Sequence, residues 1–307
     1  MKIGALIITT GLPRVSGVTA LLSPVGNITA GQRMISAFQC AGVDLVGLIV
    51  GPEDKKAERQ LAQNGVIFLR CDDCGTTFFQ GLKEGLSFML GRCDRVFILP
   101  GDTPLVLPKT LEALLTSNAN IVQPENRYIN GFPILLDKQG METILNQTTK
   151  EAAQQAAVQQ GLRIESVRVE DSGIFLRGED MTYRKNLIQH HNSQLSRPVT
   201  EVTLHNGGVL YDPRLSMLLH LVEETRSVRD ACSLMQISYS AAWNMLNRVE
   251  DELGFPLVER IRGGSTGSGS VLTEKGKHLM TAYDQFSEHL NKEARQLYRK
   301  LFEANDN

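Results

Sequence analysis

Residues 95–106 read RVFILPGDTPLV. A run of β-branched and aromatic residues, Arg95–Leu99, ends abruptly at Pro100-Gly101, and a carboxylate, Asp102, follows at once. Such a run predicts a buried strand, and the proline and glycine end it. A carboxylate at the end of a buried strand stands where a nucleotide-bound divalent metal needs an oxygen ligand. It equally suits a cap on the turn or on the next helix.

The same rhythm recurs on both sides. Further strands are predicted at Ile3–Thr9, Leu45–Val50, Val66–Leu69 and Asn120–Val122. Helical stretches separate them. One runs from Thr29, an N-cap residue, to about Gly42; one opens at Pro52-Glu53 and stops at Asn64-Gly65. Two more cover about Thr77–Leu90 and Pro108–Leu115. Strand and helix alternating at this spacing predict an α/β unit whose mostly parallel sheet carries helices on both faces. In such sheets the ligand crevice lies beyond the carboxyl ends of the strands, which singles out the loops after Thr9, Val50 and Leu99. The first reads ITTGLPRVSGVTALLSPVG, and its Gly11 and Gly17 allow backbone N–H groups to approach a phosphate. It is neither GxGxxG nor GxxxxGK[ST], and a plain glycine-bearing connection explains it as well.

The chain has 307 residues, enough for two domains. Its hydrophobic fraction of 42% supports ordinary globular cores. No apolar run reaches the roughly 18 residues of a membrane span, and Met1–Gly11 lacks a signal-peptide cleavage pattern. The expectation is a cytoplasmic protein with no membrane partner. Five cysteines (40, 71, 74, 93 and 232) form an odd, sparse set that argues for reduced thiols. Cys71-x-x-Cys74 has no second ligand pair for zinc, and Asp72 and Asp73 between the two disfavour a reactive thiolate. Of the histidines, His190-His191 read as a polar linker.

Near residue 190 the character changes. VTLHNGGVLYDP predicts a hairpin about Asn206-Gly207, and Arg214–Glu224 and Val228–Leu234 two helices. After a turn at Met235–Ile237, Ser238 caps a longer helix that Gly254 ends. Ala242, Leu246, Val249 and Leu253 form its buried stripe. Two helices about a tight turn predict a helix-turn-helix, and PLVER, the GGSTGSGS run at 263–270 and VLTEKGKHL predict a hairpin wing. The face opposite the stripe presents Ser240, Asn244, Asn247 and Arg248. Asn pairs bidentately with adenine, and Arg with guanine or phosphate. Ser238 at the helix N-terminus suits a phosphate, with Tyr239 beside it. Arg260 and Arg262 before the wing tip, with Lys275 and Lys277 after it, are candidates for phosphate or minor-groove contact. Trp243 reads as core. Net charge is +1 over residues 1–200 (20 basic, 19 acidic) and −3 over 201–307 (12 and 15), so nucleic-acid binding must rest on local placement.

These segments resemble two known families. Over about residues 1–190, the Gly11 loop with ALLSPVG, AGVDLVGLIVG, GLKEGL (81–86), LPGDTPLV (99–106) and NGFP (130–133) are similar to the MobA/MocA-like nucleotidyltransferases, which join a nucleotide to molybdopterin. The resemblance implies a nucleotide site with Gly11, Arg14, Gly17 and Gly81, and a Mg²⁺ held by Asp102 and Glu179 with CTP or GTP. It also exposes departures. Active members carry AAGxSxRMGxxK; here TTGLPRVSGVT is one residue shorter, and Thr19 stands at the lysine position. The late acidic DxDTPED-like segment corresponds to SGIFLRGEDMTYRKNL, with Arg177 at its first Asp and Glu179 at its second. Losing one preorganised cationic donor costs about 10²–10³ in rate, so the expected unit is degenerate. From about 202 to 286, ISYSAAWNMLNRVEDELGFPLVER, GGSTGSGS and LTEKGKHL are similar to the DNA-binding domain of ModE-type regulators and, more distantly, of LysR-type regulators.

The organisation expected is a transferase-like unit over 1–190, a linker over 191–201 and a winged helix with a C-terminal helix over 202–307. The resemblance implies a regulator, a homodimer on double-stranded DNA, sensing a nucleotide or molybdopterin-type ligand. The alternatives are a working CTP/GTP:molybdopterin nucleotidyltransferase with a regulatory tail, and a winged helix that serves only as an interaction module.

Overall fold

The computed structural model describes residues 1–13, 19–71, 77–178, 184–196, 198, 200–261 and 269–303. They divide into two compact units, Met1–Ser196 and Arg197–Asn307.

In the first unit the strands are β1 (Ile3–Ile8), β2 (Pro24–Val25), β3 (Ile28–Thr29), β4 (Leu45–Val50), β5 (Ile67–Arg70), β6 (Arg95–Pro100), β7 (Ile121–Asn126), β8 (Ile129–Asn130), β9 (Ile134–Asp137) and β10 (Ile164–Arg168). The helices are α1 (Ala30–Cys40), α2 (Lys55–Leu61), α3 (Phe78–Met89), α4 (Pro108–Leu115), α5 (Lys138–Leu145), α6 (Lys150–Gln159) and α7 (Lys185–Ser193). The main sheet runs β10-β7-β9-β6-β1-β4-β5, with β8 paired to β7. β1 is parallel to both β4 and β6. The strand order therefore reverses at β1, and the ends of β1 and β6 form the switch-point crevice.

Burial explains the arrangement. All six β1 residues are buried. Its Ile3, Ala5 and Ile7 join a core with Met34 and Phe38 of α1 and Leu111 and Leu114 of α4. On the other face Gly4 and Gly85 let α3 lie close, bringing Met89 to β1 and Leu6 to α3. Side chains alternate across a strand, so one apolar run serves two helical layers. Local signals set the helix ends. Thr29 and Gln32 form the capping box of α1, and Thr77 caps α3 through the Gln80 N–H.

The sheet is mostly parallel, as the alternation of strand and helix predicts, with one exception among its main strands. β9 enters antiparallel between β6 and β7. Its Ile134-Leu135-Leu136 is too short to stand out by periodicity. β10 escaped too, because it is an edge strand whose residues are mostly exposed and so carries no apolar run.

A buried cation ties the unit together. Arg33 of α1 is fully enclosed. Its Nε donates to Asn192 Oδ1 of α7 at 3.1 Å, and its Nη1 to Val106 O at 2.9 Å and to Pro104 O. Asn192 Nδ2 donates in turn to Val25 O at 3.0 Å. Burial lowers the Arg33 pKa to about 10, with Asp171 opposing the fall. Residues 191–193, expected to open the linker, are thus the last turn of α7. Asn192 is committed to this network, and His191 is buried.

The second unit contains the hairpin β11 (Leu204–Asn206) and β12 (Gly208–Tyr211), then α8 (Pro213–Thr225), α9 (Val228–Met235), α10 (Tyr239–Leu253), the hairpin β13 (Val258–Ile261) and β14 (Gly269–Leu272), and α11 (Glu274–Tyr298). Asp212, Ser227 and Ser238 cap α8, α9 and α10 through the N–H groups of Leu215, Asp230 and Ala241. Ala242, Leu246 and Val249 of α10 are buried as the spacing predicts. Tyr211 and Tyr283 stack at 4.4 Å, and Asp284 of α11 accepts from Ser216 of α8 at 2.9 Å. Among the described residues no helix is long and apolar enough to cross a membrane.

Replacing Arg33 with Met keeps the volume but orphans three oxygen acceptors. At about 1 kcal/mol for each, urea unfolding of the first unit is expected to register a loss of about 3 kcal/mol. A loss below about 0.5 kcal/mol, the scatter of neutral surface changes, contradicts the assignment.

Candidate functional site

The first candidate site lies at the switch point. Gly101 N donates to Ile8 O at 2.8 Å, which sets the loop after β6 beside the loop after β1. Gly11 turns in the left-handed region, with φ of 72°. The one proton of Thr9 Oγ1 is shared between Ile49 O at 2.7 Å and Asp54 Oδ2 at 3.1 Å, fastening the loops after β1 and β4. Gly81 lies where α3 comes closest to the β1 loop: a Cβ there would stand 2.0 Å from Thr10 Oγ1. That approach by itself accounts for a glycine. Thr19 is buried and precedes the short helical turn Ala20–Leu22. Arg14, Gly17 and Glu179 lie outside the described residues.

Asp102, the expected metal ligand, is engaged by other side chains. Its Oδ1 accepts from Arg177 Nη1, while Thr103 Oγ1 donates to the same oxygen at 3.3 Å. Arg177 also lies over the Phe132 ring, 5.6 Å from its centroid. Three motifs read separately in the sequence, GDTPLV, NGFP and LRGED, therefore meet at one guanidinium. Phe132 N donates to Ile174 O at 2.8 Å, which fixes the arginine-bearing segment against NGFP. Asp171 Oδ2 accepts from Leu107 N at 2.9 Å and Thr110 Oγ1 at 2.7 Å, and its Oδ1 from Gly173 N at 2.8 Å. This buried carboxylate splices the same segment onto the loop after Asp102. Among the described residues no three His, Cys, Asp or Glu side chains gather to hold a metal ion. A divalent ion at Asp102 Oδ1 would compete with a guanidinium that keeps its charge; Glu179, the second expected ligand, lies outside the described residues.

His191 closes the network. Its Nδ1 lies 2.7 Å from Leu105 O. A carbonyl only accepts, so Nδ1 carries the proton and protonation must occur at Nε2. Cys71, at the end of β5, is disulfide-bonded, against the expectation of reduced thiols; Cys74 lies outside the described residues. Cys40, Cys93 and Cys232 keep reduced thiols.

The second candidate site is the outer face of α10. Ser238, Tyr239, Ser240, Asn244, Asn247 and Arg248 are all exposed, opposite the buried stripe. Ser238 Oγ lies 3.1 Å from Ser240 Oγ and accepts from Ala241 N. Arg260 of β13 stacks over Trp243 at 4.5 Å, and Trp243 meets Tyr239 edge to face at 6.1 Å. Trp243 is half-buried: it does not lie in the core but joins the wing to the helix. Lys275 is exposed, 4.8 Å from the Phe255 ring centroid. Lys277 is instead engaged within the unit, 3.3 Å from Glu223 and 3.5 Å from Glu274, because the first turn of α11 meets the end of α8. Arg262 lies outside the described residues.

The MobA-like NTP transferase domain matches residues 10–167, just over half of the chain. The chain belongs to the MobA-like NTP transferase family. Within that family's fold, the 4-diphosphocytidyl-2C-methyl-D-erythritol synthase of Anaerococcus prevotii is a solved relative in architecture. It has a TM-score of 0.50 at 14% identity, over 61% of this chain and 96% of that one. Beyond the MobA-like part, residues 214–277 match the bacterial regulatory helix-turn-helix of the lysR family. The C-terminal region is similar to the molybdenum transport protein ModE of Azotobacter vinelandii, 32% identical over 96 residues, 28% of this chain and 35% of that protein. It is likewise similar to the transcriptional regulator ModE of Yersinia pestis, 38% identical over 73 residues, 24% of this chain and 28% of that protein. The chain thus spans about a third of the length of these curated relatives.

Burial holds the His191 pKa below its usual value, outweighing the bond to Leu105 O. The unfolded chain therefore takes up the proton first, and stability falls as pH drops through about 6.5. Chemical denaturation between pH 7.5 and 5 is expected to show that loss and to show it reduced in His191→Asn. An identical slope in the variant contradicts the assignment.

Proposed function

We propose that this chain is a DNA-binding transcriptional regulator. Its MobA-like unit senses a nucleotide, CTP or GTP, or a molybdopterin-type ligand, without transferring it. The genes governed belong to molybdenum cofactor or molybdoenzyme biology, and the protein works in the cytoplasm. The observation that carries the reading is the outer face of α10: six exposed polar or hydrogen-bonding residues on a capped helix with its apolar stripe buried, beside an arginine held by the wing. In a helix-turn-helix this face enters the major groove, where Asn244, Asn247 and Arg248 meet base edges and Ser238 and Tyr239 the backbone. Arg260 and Lys275 reach phosphates from the wing, with Arg262 nearer its tip. Lys277 contributes less, since Glu223 holds it. The ModE likeness supports both the DNA partner and the molybdenum link.

A homodimer fits this function, because helix-turn-helix proteins read two-fold sites in pairs. Phe286, Leu290, Leu297 and Leu301 of α11 and the turn after it are exposed apolar residues at helical spacing, and they supply a pairing stripe. The second reading, a working nucleotidyltransferase with a regulatory tail, draws on the retained Asp102. Thr19 and the Arg177–Asp102 pair weigh against it.

Selection of duplex DNA from a random pool by the full chain tests the proposal, with affinities then read from the fluorescence of the single tryptophan, Trp243. A two-fold site is expected to emerge. Asn244→Ala and Arg248→Ala are each expected to weaken binding by about 1–3 kcal/mol, and Lys277→Ala by less. Binding indifferent to the α10 variants contradicts the reading.

A further inference from the structure

The nucleotide reading of the first unit leaves open how the site handles phosphate charge. We infer that Arg177 replaces the divalent cation, so that the unit takes its phosphorylated ligand free of metal. The inference rests on that nucleotide reading and sharpens it: the ligand is a nucleotide or phosphorylated pterin as the bare anion.

Three observations lead there. Asp102 stands just beyond β6 at the switch point, the place where such a sheet brings ligand phosphates to its loops. Its Oδ1 is engaged twice, by the Arg177 guanidinium and by the Thr103 hydroxyl. A metal would have to compete with both. The Asp102 side chain is only 14% exposed, while that of Arg177 is 39% exposed and open to an incoming anion.

Second, the guanidinium is fixed rather than trailing. The Phe132 ring holds one side, and the Phe132–Ile174 and Asp171 hydrogen bonds anchor the segment that carries it. An anchored arginine loses little entropy when it meets an anion, and its planar donors match phosphate oxygens in a way no ammonium does.

Third, the substitution is a charge exchange at one position. Where the family pattern has a carboxylate, this chain has Arg177. Two carboxylates need a divalent ion to offset their charge before a phosphate can approach. Here the guanidinium of Arg177 sets a fixed positive charge against the Asp102 carboxylate, the offset that an ion would otherwise supply.

The test is calorimetric titration of the full chain with GTP and with CTP, once in excess EDTA and once in excess Mg²⁺. Wild type, Arg177→Lys and Arg177→Asp are compared, with circular dichroism to verify folding. Wild type is expected to bind at least one nucleotide as tightly in EDTA as in Mg²⁺. Arg177→Asp is expected to lose about thirtyfold or more in EDTA and to regain affinity when Mg²⁺ is added. Arg177→Lys should bind more weakly than wild type while staying indifferent to Mg²⁺. Wild-type binding that requires Mg²⁺ overturns the inference and leaves the nucleotide reading standing. Failure to bind either nucleotide under both conditions overturns the two together. Should the Asp variant fail to fold, the wild-type comparison decides alone.

Discussion

A guanidinium cannot give up its charge near neutral pH, so it competes with any cation for the carboxylate oxygen it pairs with. The pair of Arg177 with Asp102 imposes that constraint where β1 and β6 end. Much of the first unit serves to hold it. Asp171 ties the arginine-bearing segment to the loop that follows Asp102, while Arg33 and His191 hold that loop from α1 and α7. Buried polar groups of this kind are costly unless satisfied; these draw partners from four segments, and only Arg33 Nη2 among them is left without one. The scaffold of the MobA-like family carries this pair at the ends of β1 and β6.

The second unit follows a different economy. Capping side chains define the starts of three of its helices: Asp212, Ser227 and Ser238 each accept from a first-turn N–H. The buried stripe of α10 then fixes which residues face outward. Trp243 bridges the wing and the helix, so Arg260 is carried on an aromatic surface instead of a free strand. The chain leaves the first unit through α7, the helix that Arg33 grips, before the hairpin β11–β12 opens the second.

Much of this was legible in the sequence. Dense apolar runs such as Arg95–Leu99 gave away their strands because both faces are buried. The pattern Ala242, Leu246, Val249 gave away α10 because 3.6-residue periodicity survives in any helix with one wet side. What escaped depended on contacts between distant residues. The departure at Arg177 could be seen, but its partner lies 75 residues away. His191 read as linker because a histidine pair is polar by composition, and only the Leu105 carbonyl makes one of them core. Lys277 read as a phosphate contact because nothing local announces Glu223. β9 and β10 were lost to shortness and to an edge position.

The claim on which the account turns is that the MobA-like unit binds without transferring. The most direct measurement is pyrophosphate release by the full chain supplied with molybdopterin, Mg²⁺ and GTP or CTP. The account predicts no release above the level of chain-free controls under conditions where the nucleotide is bound. Release at about 1 s⁻¹ or faster, the ordinary range of enzymes, contradicts it and makes the chain a working transferase.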